Sequence, residues 1–457
     1  MGVPILALRL QLAGLLAISS AGRPSARTVG DMQSVYDWPT QNCAQRHEKD
    51  TNRCAFSFKC KNMTEQNLGL CRDCDPDVVD APTKAFRRKT PQGGEETVLT
   101  GSVNWGSRYD VGATLDSVKH NCSVYYNASW QQQPNLYASR EWIQSPWVFE
   151  NQTVVGLTHM EHHCDADGSQ GSLSCAALNL SLGGGDFSAV TLLASSDGGR
   201  SFTHARPPPH HVVAASPQNF SAGGNRIGFR SPSNIVAGQG ELEGWFYATV
   251  TSGWGAPGGE NPCSNYVDPL GLQRFCTCVM RTRDLTDPHA WRAWNGREFN
   301  VSLFATPWDS PPPNPAKHVC QPTINMTYPS ILWSTFYRKY ILVGTTGGND
   351  HDGWSFQLSN DMIHWTAPVA LDTASLTPTG GPGGNTSVES TEDGYALYAY
   401  PSLLDPTSTR LNYDTIGSSG YLYLMGRRTP LPQATKPRGF YVMQDVLRVR
   451  VEFGSSG

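Results

Sequence analysis

The sequence predicts an all-β protein built from repeated, meandering sheets, and three observations carry that reading. Tyr328 to Thr366 contains YPSILW, YRKYILVGTT and WSFQLSNDMIHWT, three short apolar runs between polar breaks, as in successive antiparallel strands. Stretches of this kind recur, each opening on a proline at a strand start, where the missing N–H costs least: Pro82, Pro146, Pro232, Pro329 and Pro401, at intervals of 64, 86, 97 and 72 residues. The composition, with 45 Gly, 32 Pro and 13 Trp, favours turns and strands over long helices.

The 457 residues carry a net charge of −4 with 16% charged side chains, so the chain has neither a nucleic-acid footprint nor a polyanionic tail. Residues 1–21 hold the apolar run ILALRLQLAGLLAISSA followed by small residues, which reads as a secretory signal cut near Ala21 or Ala26. No later stretch is long and apolar enough to span a membrane. All 12 cysteines lie beyond that signal, and N-x-S/T triplets occur at Asn62, Asn121, Asn127, Asn151, Asn179, Asn219, Asn300, Asn325 and Asn385. Together these features predict a secreted, disulfide-bonded, N-glycosylated protein.

Residues 22–78 are polar and hold Cys43, Cys54, Cys60, Cys71 and Cys74, which reads as a disulfide-stapled N-terminal cap. The odd count sends one cysteine outward, with Cys122 as the expected partner; the Cys71–Cys74 pair lacks a second CxxC to complete a zinc site. The repeats occupy residues 79–455. In the second, WVFENQTVVGLTHMEHH turns over Asn151-Gln152, and Ser195 to Phe202 fits S-x-D-x-G-x-S-F, in which the aspartate caps turn amides above a packed aromatic. Ser359, Asp361 and Trp365 form a comparable turn and plug, and the run from Val446 to Phe453 alternates as an outer strand does.

Five such repeats, with late strands reading SSDGGRSF, RTRDLTDPHAW and SNDMIHW, resemble the five-bladed β-propellers of the arabinanase, xylosidase and invertase superfamily of glycosidases, which are glycoside hydrolase family 43-like. The turn at Ser195 is similar to a sialidase-type Asp box. The resemblance spans residues 79 to about 453 at the level of repeat pattern and includes no diagnostic catalytic signature. It implies a five-bladed β-propeller with a small disulfide-rich cap. It also implies a hydrolase acting on a glycan through carboxylates in a central pocket: one protonates the leaving oxygen while another activates water or attacks the anomeric carbon.

Asp80 matches the family's first-blade acid in rough position and would be base or nucleophile, although Ala81 separates it from Pro82. Glu161 would be the general acid, and Glu141, in SREWIQSP, the tuning partner. Strand alternation puts His159, Glu161 and His163 on one face, with Met160 and His162 on the other. That face would supply the substrate contacts His159 and His163, and two His with one Glu also resemble a metal-ligand set. Arg230 opens the third repeat and suits a carboxylate or an anionic sugar; Arg108 and Arg140 extend the comparison to sialidases. Tyr328, Trp333, Trp354, Tyr400 and Trp245 are sugar-stacking candidates, most of them expected in the core. No cofactor is expected beyond a structural calcium ion near Asp165 and Asp167. Two other readings stay open: a propeller that binds glycan or protein without catalysis, and a sialidase-like hydrolase.

Overall fold

The computed structural model describes residues 23–41, 43, 77–101, 106–128, 133–165, 173–174, 185–216, 227–252, 276–306, 308–311, 313–318, 320–324, 326–346, 354–371, 395–428 and 444–456. The Cys71–Cys74 pair, Asp167 and residues 1–22 lie outside them, as do the side chains of His163, Asp165 and Tyr328. Within this range the fold is all-β, with one four-residue helical turn at Trp38–Gln41 and a few short 3-10 turns. Among the described residues no helix is long and apolar enough to cross a membrane.

Along the chain the described strands follow one another in mainly antiparallel groups. The first is β2 (Ala85–Lys89), β3 (Glu95–Thr100), β4 (Gly106–Gly112) and β5 (Lys119–Asn127), after β1 (Arg23–Tyr36) has been laid down elsewhere. The second comprises β6 (Glu141–Val148), β7 (Val154–Asp165), β8 (Leu173–Ser174), β9 (Gly185–Ser195), β10 (Thr203–His204) and β11 (Val212–Ala215). The third takes β12 (Ile227–Arg230), β13 (Val236–Ala237), β14 (Phe246–Ser252), β15 (Cys276–Thr282), β16 (Arg292–Trp294) and β17 (Phe299–Val301). The fourth has β18 (Met326–Ser334), β19 (Lys339–Thr346), β20 (Trp354–Ser359) and β21 (Val369–Ala370). The fifth has β22 (Tyr395–Leu404), β24 (Ser419–Arg428) and β25 (Gln444–Ser456), while β23 (Thr415–Ile416) leaves it to run parallel to β18.

By hydrogen bonding these groups make four sheets rather than the five expected, of 4, 12, 5 and 4 strands. The second and third groups are fused by β12. Its Ile227 and Gly228 run parallel to Phe187 and Ser188, and its Phe229 and Arg230 then turn antiparallel to Ser252 and Thr251. Gly228 permits this crossing: its φ is +111°, and a Cβ there would sit 1.9 Å from the Ser188 carbonyl oxygen.

The sequence also misplaces the outer strand of the fifth group. The alternating run after Val446 is the third strand, and β1 lies outside it, antiparallel from Arg23 opposite Ser456 to Tyr36 opposite Val446. RPSARTVGDMQSVY has too little periodicity to announce a strand, and the exposed edge of β25 supplies its hydrogen-bonding partner. Cys43 then pairs with Cys122, joining this N-terminal stretch to β5 as the cysteine count suggested. A second bridge joins Cys278 to Cys320.

Apolar burial links the groups in cyclic order. Phe86, Tyr109, Ile143 and Leu193 join the first to the second. Trp147, Leu192, Val250 and Met280 join the second to the third, and Tyr247, Val279, Ile331 and Tyr340 the third to the fourth. Leu332, Phe356, Leu422 and Val449 join the fourth to the fifth, and Val79, Leu99, Tyr423 and Val446 return from the fifth to the first. First strands also meet in polar contacts. Lys84, just before β2, directs Nζ to Ser402 Oγ of the fifth group (3.0 Å), Ser330 Oγ of the fourth (3.3 Å) and Asn234 Oδ1 of the third (3.5 Å). Ser145 of the second group donates to the Ser233 carbonyl of the third.

Three outer hairpins share one local design. A hydroxyl two residues before an aspartate accepts that aspartate's N–H: Ser195 for Asp197, Thr282 for Asp284 and Ser359 for Asp361. The carboxylate then accepts from amides further along, at Arg200 and Ser201, at Thr286, and at Ile363 and His364. Phe202 is buried beneath the first turn, and Trp365 closes the third by bridging back to Ser359.

Candidate functional site

Residues from several strand groups are joined by a run of buried contacts. Tyr400, in the fifth group, donates its hydroxyl to Asp80 Oδ1 across 2.9 Å. Ala81, next to Asp80, packs on Trp142 of β6. Trp142 stands edge-on to His159 of β7, with ring centroids 5.5 Å apart and planes at 90°. His159 Nε2 lies 3.3 Å from Glu161 Oε1 and 3.5 Å from Ser188 Oγ. Ser188 sits opposite Glu161 in the β7–β9 register and beside Gly228, two residues before Arg230. Asp80, Trp142, His159, Glu161 and Arg230 are all buried.

The alternation expected along β7 holds as far as the side chains are described. Trp142 pairs with His159, which shares a face with Glu161, while Met160 turns to the other face and packs with Tyr137, Phe187 and Ala189. The backbone beside these contacts is strained. Arg140 (φ 48°), just before β6, Ser231 (φ 48°), just after β12, and Tyr400 (φ 57°), within β22, adopt left-handed conformations costing about 1–3 kcal/mol apiece. Such conformations persist where surrounding contacts hold them in place.

Glu141 is not part of this group. It pairs with Met160, so its side chain leaves the strand on the face opposite Trp142 and Glu161. There its carboxylate is fully buried. Tyr126 Oη donates to Oε2 (2.8 Å) and Thr191 Oγ1 to Oε1 (2.5 Å), and His204 Nε2 lies 2.7 Å from Oε2. His211 Nε2 lies 3.4 Å from Oε1. Burial alone would raise the Glu141 pKa, but the hydrogen bonds and charges of His204 and His211 outweigh it and hold the group down at about 2.

Arg108 also lies elsewhere, with Nη1 3.5 Å from Asp77 Oδ1 and donating to the Gly106 carbonyl. Asp77 belongs to a second buried network, in which His120 Nε2 is 3.0 Å from Asp77 Oδ2 and Nδ1 is 2.7 Å from Asp110 Oδ1. Burial disfavours the His120 charge, yet the two aspartates prevail and push its pKa up to about 9. Burial raises Asp110. Tyr36 of β1 donates to the Asp77 carbonyl, so this network fastens the N-terminal strand to the first group.

Of the stacking candidates, Trp354 is core, Trp333 packs edge-on against Tyr340, and Trp245 lies between the Arg281 and Arg283 guanidinium groups. Tyr400 contacts Asp80 through its hydroxyl. Sequence reasoning missed Trp142, His204, His211 and Lys84. The local signals were an aromatic directly after Glu141, a histidine pair at His210-His211 and a lysine two residues after Pro82, with none marking His204.

No family model matches this chain, and no curated protein sequence matches it. Among solved structures it is similar to a thermostable family-43 glycoside hydrolase, with TM-score 0.41 and 10% identity over 83% of this chain and 96% of the other. It is also similar to an α-L-arabinofuranosidase from Lactobacillus brevis, with TM-score 0.40 and 8% identity over 81% and 90% of the two chains. A family 117 glycoside hydrolase from the marine bacterium Zobellia galactanivorans gives TM-score 0.41 and 9% identity over 82% and 86%.

Proposed function

We propose that the chain is a secreted five-bladed β-propeller that hydrolyses glycosidic bonds in a central pocket through Asp80 and Glu161. The cyclic succession of shared cores supports the propeller. One observation supports the site: Tyr400 donates to Asp80, the neighbouring Ala81 packs on Trp142, and Trp142 meets His159 beside Glu161, so a run of contacts links two carboxylates from distant parts of the chain. Glycoside hydrolysis needs two carboxyl groups on opposed sides of a sugar. Glu161 protonates the leaving oxygen with His159 beside it, and Asp80, held by Tyr400, activates water or attacks the anomeric carbon. Arg230 binds an anionic group on the sugar, and Glu141 takes no part in the chemistry.

Export is supported by the exposure of Asn121, Asn127, Asn151 and Asn300, the glycosylation-triplet asparagines whose side chains are described. The test is sugar release from plant, algal and animal glycans by the full chain beside Glu161→Gln and Asp80→Asn. Release that both variants lose supports the hydrolase. Saturable binding of one glycan by all three proteins without release would replace it with a carbohydrate-binding propeller.

A further inference from the structure

The cluster on the far side of β6 has more structure than a buried carboxylate needs. A single imidazole donating to Glu141, together with Tyr126 and Thr191, would already satisfy that group. Instead two imidazoles lie with ring centroids 4.3 Å apart, and each places Nε2 beside the same carboxylate, His211 Nε2 lying also 3.2 Å from the Tyr137 carbonyl oxygen. One ligand atom from each of Glu141, His204 and His211 falls within 4.8 Å of the others. Two imidazole nitrogens and a carboxylate oxygen form a donor set suited to a borderline-soft divalent ion, with a fourth tetrahedral position left for water.

We propose that Glu141, His204 and His211 form a binding site for a divalent transition-metal ion, with zinc the best fit. The surrounding contacts orient these ligands. Tyr126 and Thr191 fix the carboxylate, Thr191 is itself hydrogen-bonded to Thr158, and His211 is enclosed. His204 supplies the entry path, since its side chain is 25% exposed whereas those of Glu141 and His211 are at 0%. The Cys43, Asp77 and His120 grouping lacks this capacity, because Cys43 is committed to the bridge with Cys122.

On binding, each imidazole presents its Nε2 lone pair to the ion. The proton carried there moves to Nδ1 or, from an imidazolium, leaves to solvent. Uptake therefore weakens as pH falls. The ion would bridge β6, β10 and the turn before β11, on the face of β6 opposite Trp142. Its presence can thus be tested without reference to sugar chemistry.

The experiment titrates the chelator-treated full chain with Zn2+ by calorimetry, and with Co2+ by visible absorption. The expected result is one ion per chain, a ligand-field spectrum for Co2+ that Zn2+ abolishes, and a thermal midpoint raised by Zn2+. His204→Gln, at the half-buried ligand, should weaken uptake at least tenfold, while His364→Gln at an exposed histidine should leave it unchanged. Absence of stoichiometric uptake by the parent overturns the proposal, as does uptake that a folded His204→Gln variant retains. If that variant does not fold, the parent's Co2+ spectrum decides: bands without imidazole character overturn the site.

Discussion

The molecule holds two buried carboxylate–imidazole networks of opposite stoichiometry. In the first strand group one imidazole, His120, lies between Asp77 and Asp110; in the second, one carboxylate, Glu141, lies between His204 and His211. Apart from the partly exposed His204, both are buried, so composition is the main difference between them. With two acids to one base the histidine is driven to stay charged, whereas with one acid to two bases the carboxylate is driven to stay ionised. The minority partner is the group whose protonation is locked, and each network should fail at a different end of the pH scale.

Removing the minority partner of the first network should have the largest effect. His120→Asn leaves two buried aspartates without the cation between them, Arg108 reaching only Asp77, and is expected to cost about 3–5 kcal/mol, read from denaturant midpoints at pH 7. The pH dependence sharpens this. The folded pKa of His120, about 9, is above its unfolded value, so its contribution is fully present below about 6.5 and is lost as pH rises through 9. The parent should therefore lose stability relative to His120→Asn across that interval. Parallel stability curves for the two proteins would break the comparison.

Lys84 is an informative third case, because it shares the burial but has no carboxylate partner among the described residues. Burial lowers its pKa from 10.5 to about 7. The unfolded chain then binds more protons between those values, so the Lys84 contribution improves as pH rises from about 7 to 10.5, opposite in sign to His120. Lys84→Met should remove that slope and, at neutral pH, stabilise by roughly 1–4 kcal/mol, by analogy with apolar replacement of buried charge.

Glu141→Gln should cost somewhat less than His120→Asn, about 2–3 kcal/mol, because the amide keeps one acceptor oxygen and leaves imidazoles that can be neutral. Its folded pKa is depressed, so the ionised group stabilises above about pH 4.5 and this contribution is lost as pH falls through about 2. Acid titration of parent and variant should converge near pH 2. The smallest effect is expected at the outer hairpins, where Asp197→Ala removes a turn cap at a cost of about 1 kcal/mol, measured as a shift in thermal midpoint.

What was legible in the sequence followed the range over which each feature is encoded. The hairpins at Ser195 and Ser359 could be read because hydroxyl, aspartate and aromatic lie within eight residues. The placement of His159 and Glu161 on one face followed from alternation, because the β7–β9 ladder runs without a bulge. Glu141 is the complementary case. Its surroundings come from Tyr126, Thr191, His204 and His211, whose positions depend on the path of the chain through β5, β9, β10 and the turn before β11. The fusing of two groups by β12 depends on a close approach at Gly228 that no periodicity records. The setting of Lys84 required residues from three other strand groups to converge.

The pairing of β1 with β25 couples an early stretch of synthesis to a late one. Residues 23–36 are made long before their strand partner, residues 444–456. Translation therefore holds the fifth strand group incomplete until β25 is made, when Val449 and Val451 enter its core and β1 gains the strand it pairs with. Final stability should then appear in a single late step, and a chain truncated before residue 444 should remain on quality-control machinery however well its earlier strand groups have formed.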